Sequence, residues 1–265
     1  MNAPFEASVE ARVHRVDDGG IATLALNRPA QFNALDSATL DALKAELVAI
    51  AADATVRVVI LAGAGRAFCP GHDLKEMLAN ANEPFLADLF ARCSDVMMTI
   101  ERLPQPVIAK VHGIATAAGC QLVAAADLAV ASDDARFATS GINFGLFCAT
   151  PAVPVSRNIG RKRAFEMLLT GAFVDAPTAL AWGLVNRVTP RDELDATTAA
   201  LAHQMMDKPA AVVAAGKRFF YEQLERPLVD AYRTASGEIT RGMLAPEAQE
   251  GVAAFVAKRK PRWEL

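Results

Sequence analysis

The sequence predicts an α/β fold followed by a helical C-terminal region. Residues 56–61 are a nearly continuous apolar run of strand length, broken only by Arg57. Such runs suit a strand buried on both faces of a parallel sheet. A strand, a loop of small residues and a helix then recur in that order, which calls for right-handed parallel crossovers. From Arg161 onward helical periodicity dominates.

The elements follow in chain order. Residues 13–16 and 21–26 read as two strands around the turn Asp17-Asp18-Gly19-Gly20. Asn27-Arg28-Pro29 ends the second. Ser37 is placed to cap a helix reaching Ile50, with Leu40, Leu43, Leu47 and Ile50 on one face. The strand over 56–61 enters a loop over 63–71. Residues 74–79 and 85–102 have helical patterns. Pro104 and Pro106 open a unit with a strand over 107–111, a turn at His112-Gly113, a helix over 117–126 and a strand over 127–131. Residues 137–147 read as irregular. Helices are expected over 163–170, 176–182, 194–206, 210–224 and 246–258, with one short strand over 186–189. The expected division is a core over 1–190 and a helical region over 191–265.

Composition excludes several classes. Hydrophobic residues make up 52% of the 265 residues and charged residues 22%, which rules out bulk disorder. The net charge of −3 argues against nucleic acid as the main partner. Any anionic ligand needs a local patch. Cysteines 69, 93, 120 and 148 have neither CxxC nor zinc-finger spacing, so four free thiols, no metal and no cofactor are expected. No apolar run reaches the length of a membrane span. The first 13 residues carry Glu6 and Glu10 and look like neither a secretory signal nor an acid-poor transit peptide. These features read as a cytoplasmic protein with no membrane partner.

Two segments could carry chemistry. In Arg66-Ala67-Phe68-Cys69-Pro70-Gly71-His72-Asp73-Leu74 a glycine-containing loop joins a buried strand to a helix. The backbone N–H groups at such a helix start have no intrahelical partner. Asp73 as a plain N-cap is the simpler reading. In Gly113-Ile114-Ala115-Thr116-Ala117-Ala118-Gly119-Cys120-Gln121 small side chains would let a ligand approach the backbone. Close packing of a helix on a sheet would favour the same residues. Two N–H donors aimed at one point would make an oxyanion hole.

Together the two segments resemble the crotonase (enoyl-CoA hydratase/isomerase) superfamily. Its pattern is a loop x-F-x-x-G-x-D-[LI], then G-x-x-x-G-G-G-x-x-L and a D-[LI] strand. This chain supplies Phe68, Gly71, Asp73 and Leu74, then Gly113, Gly119, Leu122, Asp127 and Leu128. It also has Leu26-Asn27-Arg28-Pro29, Asn33-Ala34-Leu35, Leu169-Thr170-Gly171 and a basic C-terminal run. The wording of Gly71-His72-Asp73-Leu74-Lys75-Glu76 and of residues 115–123 and 145–148 is closer still to one subgroup.

The resemblance implies a crotonase-like spiral of ββα units with a C-terminal region that trimerises, commonly into a hexamer. The implied partner is an acyl-CoA thioester. Its carbonyl would accept from the N–H groups of His72 and Ala118. His72, Asp73, Leu74 and Lys75 would line the CoA channel, and Phe255 and Lys258 match positions that reach CoA in some members. The run Lys258-Arg259-Lys260 suits an anionic nucleotide, and equally a solvated helix end.

The chain departs from the pattern where hydratases carry two glutamates. Those positions hold Gln121 and Gly141. Paired carboxylates act as base and acid on one water. Glutamine orients a water but takes no proton at neutral pH. Thr139-Ser140-Gly141 resembles a Gln-Thr-Gly segment of naphthoyl-CoA synthases, so the hydroxyls of Thr139 and Ser140 could hold a water or an anion. His72 is another candidate base, because histidine titrates near neutrality. Cys120 and Cys148 read as buried hydrophobes, and Asp73 and Asp127 as a cap and a strand-end partner. The leading expectation is an enoyl-CoA hydratase/isomerase-like lyase that stabilises a thioester enolate. The alternative is a non-catalytic acyl-CoA binder that regulates lipid metabolism. A peptidase using His112 or His203 ranks last, since no motif positions either.

Overall fold

The computed structural model describes residues 11–263. The reading of Glu6 and Glu10 as evidence against a leader falls on residues outside that range. β1 (Val13–Asp18) and β2 (Ile21–Leu26) pair antiparallel about Gly19-Gly20, where both glycines take positive φ. Then come α1 (Ser37–Ala51), β3 (Val58–Gly63), α2 (Leu74–Ala79), α3 (Glu83–Arg102), β4 (Val107–Val111), β5 (Ile114–Thr116), α4 (Ala118–Ala125), β6 (Leu128–Ser132) and β7 (Arg136–Ala138). They are followed by α5 (Ala149–Asn158), α6 (Arg161–Thr170), β8 (Val174–Asp175), α7 (Ala176–Trp182), β9 (Arg187–Thr189), α8 (Leu194–Met206), α9 (Ala210–Leu224), α10 (Leu228–Leu244) and α11 (Pro246–Val256).

Six strands form one sheet in the order β1-β2-β3-β4-β6-β9, parallel apart from the first pair. A second sheet has the order β5-β7-β8. The apolar face of α1 (Leu40, Leu43, Leu47, Ile50) and that of α3 (Leu89, Cys93, Val96, Ile100) join Leu24, Leu26 and Leu61 in one buried core. The repeated strand–helix order and the parallel sheet agree with the α/β expectation.

Several boundaries differ, each for a local reason. Asp36, not Ser37, caps α1. Its carboxylate accepts from the Thr39 N–H at 2.8 Å and the Thr39 hydroxyl at 2.6 Å, so Ser37 is the first helical residue. β3 begins after Arg57, whose guanidinium instead donates to the Lys208 carbonyl at 2.6 Å. Residues 137–147 are more regular than expected: they include most of β7 and a 3-10 turn over Ser140–Phe144. α5 forms despite Pro151 and Pro154, and α10 was not anticipated as a separate helix. α11 stops at Val256, because Lys258 takes φ 52° and the N–H groups of Ala257 and Arg259 bond back to Ala253 and Ala254.

α9 is pinned to the sheet by a buried polar cluster. Asp127 accepts from the Val107 N–H at 2.7 Å, from Lys217 Nζ at 2.6 Å and from the Tyr221 hydroxyl at 2.8 Å. Lys217 also donates to the carbonyls of Ile100 and Gln105. Burial pushes the Asp127 carboxyl up and the Lys217 ammonium down, and their mutual attraction opposes both changes. Asp127 is thus the expected strand-end partner.

Candidate active site

The loops after β3 and β5 are held side by side by backbone bonds. Phe68 N–H donates to the His112 carbonyl, Cys69 N–H to Ile114 and Thr116 N–H to Cys69, each at 3.0 Å. Leu35 N–H donates to Gly71 at 2.8 Å, and Asp73 N–H donates to Leu35 at 3.0 Å. These bonds clamp the Gly71-His72 turn from the other side. Gly71 has φ 99°. A Cβ there would lie 2.9 Å from the Ala117 Cβ, so the contact and the turn both require glycine.

Asp73 caps α2 by accepting from the N–H groups of Lys75 and Glu76, as the simpler reading expected. Burial works against its charge. The Arg28 guanidinium at 3.0 Å and the two N–H groups outweigh that, holding the carboxyl below its usual range. On the second loop, Ala117 N–H donates to Ala138 at 3.0 Å. Ala117 then takes φ 50° and ψ −120°, a strained conformation for a residue with a Cβ. That bend makes Ala118 the first residue of α4. Among the described residues, no protein acceptor meets the N–H of His72 or of Ala118.

Both residues line a cavity of about 460 Å³. Leu74, Met77, Phe90, Phe144, Leu146 and Phe147 are the large apolar residues of its wall. Thr116, Ser140 and Thr150 supply hydroxyls to it and Cys148 a thiol, besides the His72 imidazole. Among the described residues, no Asp, Glu, Lys or Arg lines it. A charged depression beside Glu250, Arg259 and Trp263 and an apolar groove between Val56 and Val213 hold none of the predicted site residues.

The predicted residues fare differently. The His72 ring meets Phe90 edge-on, with ring centroids 5.3 Å apart. Both ring nitrogens are buried without a partner of ordinary geometry. Burial drives the ring pKa down to about 4, with the Leu35 backbone pulling weakly the other way. The ring is therefore neutral at neutral pH, contrary to the expectation that it titrates there. Gln121 is 2% exposed, with Oε1 4.0 Å from Cys93 Sγ, and is not part of the cavity wall.

Gly141 does line the cavity. Its N–H donates to Cys148 Sγ at 3.3 Å and its carbonyl accepts from Leu146 N–H at 3.0 Å. It is not among the positive-φ glycines. What demands glycine is space: a Cβ there would lie 2.6 Å from the Leu146 carbonyl oxygen and 2.8 Å from Cys148 Sγ.

The Thr139-Ser140 expectation divides. The Thr139 hydroxyl is buried and donates to the Met167 carbonyl at 2.9 Å, away from the cavity. Ser140 lines the cavity, with its hydroxyl 2.8 Å from that of Thr116. Sequence reasoning passed over Thr116, because its pairing with Ser140 spans 24 residues. All four cysteines are free and buried. Burial pushes the Cys120 thiol up to about 12 and raises Cys148, which disfavours either as a nucleophile. His112 bonds the Gly65 carbonyl, His203 bonds the Ala199 carbonyl, and neither lines the cavity. Lys75, Phe255 and Lys258 are exposed and stand outside the cavity wall of the single chain.

Two clamped loops thus each bring to one largely apolar cavity an N–H that meets no protein acceptor among the described residues. The chain matches the enoyl-CoA hydratase/isomerase family over residues 17–265. It belongs to that family. A crystal structure of an enoyl-CoA hydratase from Mycobacterium smegmatis is 54% identical, covers 97% of this chain and 100% of that one, and superposes with a TM-score of 0.95. The subgroup suggested by residues 71–76 is enoyl-CoA hydratase domain-containing protein 3. The mouse member is 44% identical over 92% of this chain and 81% of its own length. The crystal structure of the human member is 42% identical, covers 95% of this chain and 100% of that one, and has a TM-score of 0.92. The mouse protein's name places it in mitochondria, which differs from the cytoplasmic location expected for this chain. Among the described residues no helix is long and apolar enough to cross a membrane.

Proposed function

We propose that this enoyl-CoA hydratase/isomerase family member binds an acyl-CoA thioester in the 460 Å³ cavity and stabilises its enolate. The N–H groups of His72 and Ala118 act as the oxyanion hole. The observation that carries this reading is that neither meets a protein acceptor among the described residues, at a largely apolar cavity. Fixed donors in a site that excludes water stabilise charge developing on a carbonyl oxygen, and removing one costs roughly 10²–10³ in rate. His72, Asp73, Leu74 and Lys75 lead from the cavity toward the CoA tail. Phe255 and Lys258, which stand outside the cavity wall of the single chain, reach CoA from a neighbouring subunit in this reading.

The two carboxylates of ordinary hydration are replaced by Gln121 and Gly141. The lack of a carboxylate among the described residues of the cavity wall supports this and leaves the enzyme as an enolate-stabilising lyase or isomerase with weak hydration. It also favours the second reading, a non-catalytic acyl-CoA binder. Calorimetric titration with acyl-CoAs tests binding, and turnover of a panel of enoyl-CoA thioesters separates the two readings. Absence of binding by every acyl-CoA, with no competition from free CoA, contradicts both.

The same reading includes self-association as a trimer or hexamer. α9 and α10 add no apolar residue to the buried core of one chain, while Leu228, Tyr232, Ile239 and Leu244 on α10 and Phe255 on α11 are exposed. An apolar surface of this kind marks an interface. Light scattering that gives only the monomer mass at micromolar concentration contradicts it.

A further inference from the structure

We propose that Arg28 is a positioning residue for the oxyanion hole: its guanidinium aims and polarises the His72 N–H through two peptide units in series. This rests on the acyl-CoA reading above and concerns the same site. The relay begins just after β2. Phe32 and Asn33 take positive φ, 54° and 67°, a conformation that asparagine tolerates better than most side chains. Two bonds lock the turn they make. The Arg28 N–H donates to Asn33 Oδ1 at 2.9 Å, and the Asn33 N–H donates to the Arg28 carbonyl at 2.8 Å. Asn33 Nδ2 donates to the carbonyls of Ala64 and Ala67, each at 2.8 Å, which ties the turn to the loop that leads to His72. So tied, the turn leaves the Arg28 guanidinium on the Ala34 carbonyl at 2.6 Å, on Asp73 at 3.0 Å and 3.3 Å from Asp36.

Two peptide units connect that charge to the cavity. The Ala34 carbonyl and the Leu35 N–H belong to one unit, and the Gly71 carbonyl and the His72 N–H to the other. The Leu35 N–H donates to the Gly71 carbonyl at 2.8 Å. In a planar trans peptide the carbonyl and the following N–H point in opposite directions. Fixing the Gly71 carbonyl on Leu35 therefore turns the His72 N–H the other way, where it meets no protein acceptor among the described residues. Each bond also polarises the next, so a cation on the first carbonyl makes the last N–H a stronger donor. The Arg28 and Asp73 side chains are only 12% and 15% exposed, so salt and water screen the effect little. Arg28 also offsets the Asp73 carboxylate, a negative charge one residue from the donor and unfavourable to a developing oxyanion.

The test is infrared spectroscopy of carbonyl-labelled butyryl-CoA bound to the full chain, with binding checked by calorimetry. It is run on the wild type, Asp73→Asn, Arg28→Lys and the double variant Arg28→Met, Asp73→Asn. The double variant removes the cation without orphaning the carboxylate, so it is expected to fold and to bind. Its carbonyl shift to lower frequency should be smaller than the wild type's by about a fifth to a half, from about 10–30% per bond over two bonds. Asp73→Asn keeps the cap and the relay and removes the nearby negative charge, so its shift should at least equal the wild type's. Arg28→Lys, which keeps the cation, should retain most of the shift. Equal shifts in the wild type and the double variant overturn the proposal and leave the acyl-CoA reading intact. So does a loss in Asp73→Asn as large as in the double variant, which would make the ion pair the cause. If the double variant does not fold, Arg28→Gln with Asp73→Asn takes its place, and an undiminished shift there overturns the proposal equally. Failure of butyryl-CoA to bind even the wild type overturns the acyl-CoA reading and this proposal together.

Discussion

Gly71 abuts the backbone amide of Ala118: a Cβ on Gly71 would stand 3.1 Å from that nitrogen. The two donors of the proposed oxyanion hole therefore owe their spacing to a missing side chain. Gly71→Ala is expected to wedge the loops apart and to strain a backbone held at φ 99°. Acyl-CoA affinity should fall at least tenfold, with a stability loss of about 1–3 kcal/mol. Calorimetry and denaturant unfolding measure the two effects. An unchanged affinity in a folded variant would separate the loop contact from ligand binding.

A glutamate cannot simply be returned to position 141. Gly141→Ala already brings a Cβ within 2.6 Å of the Leu146 carbonyl, so it should cost about 1–3 kcal/mol. The double variant Gln121→Glu, Gly141→Glu should lose more and should not regain family-level hydration unless the 141–148 loop moves. Wild-type hydration of crotonyl-CoA is expected to be roughly 10²–10⁴ slower than in a member with both carboxylates. Initial rates for wild type, both singles and the double check this. Fast hydration by the wild type would show that these positions do not disable the ordinary mechanism.

Much of the fold was legible because helical periodicity is local. α7, α8 and α9 fall where the apolar spacing puts them. The three-residue strands β5 and β7 are too short to show a period, and the pairing that makes them strands is long-range. The same limit governs the site. The helix-start loops at His72 and Ala118 can be read locally, and the bonds that clamp them together cannot. That Thr139 turns inward to Met167 while Ser140 faces Thr116 depends on contacts 28 and 24 residues away.

The Asp127–Lys217 pair gives a stability prediction. Lys217→Met leaves a buried carboxylate with only the Val107 N–H and the Tyr221 hydroxyl. Removing one partner of a buried pair costs about 3–5 kcal/mol. Thermal or denaturant unfolding should show that loss, and a matched Asp127→Asn, Lys217→Met pair should recover part of it. No recovery in the double variant would mean that the lysine acts mainly through the Ile100 and Gln105 carbonyls.

The His72 ring gives a pH prediction. Its pKa is about 4 in the folded chain against an ordinary 6.5. Between those values the unfolded chain binds the extra proton, so acid favours unfolding. The ring's contribution is complete above pH 6.5 and is lost as the pH falls toward 4. Wild type should therefore lose about 3 kcal/mol more than His72→Gln between about pH 7 and pH 4. Parallel pH–stability curves would contradict a buried neutral ring.

The central claim is that the amides of His72 and Ala118 polarise a thioester carbonyl. The most direct test is isotope-edited infrared spectroscopy of a carbonyl-labelled acyl-CoA bound to wild type and to Ala118→Pro. Proline is tolerated at the first position of a helix, so this change deletes the N–H without breaking an intrahelical bond of α4. The carbonyl stretch should move to lower frequency on binding the wild type, and most of that shift should vanish in Ala118→Pro while the ligand still binds. A bound carbonyl at its aqueous frequency in the wild type, or an equal shift in both proteins, would contradict the account.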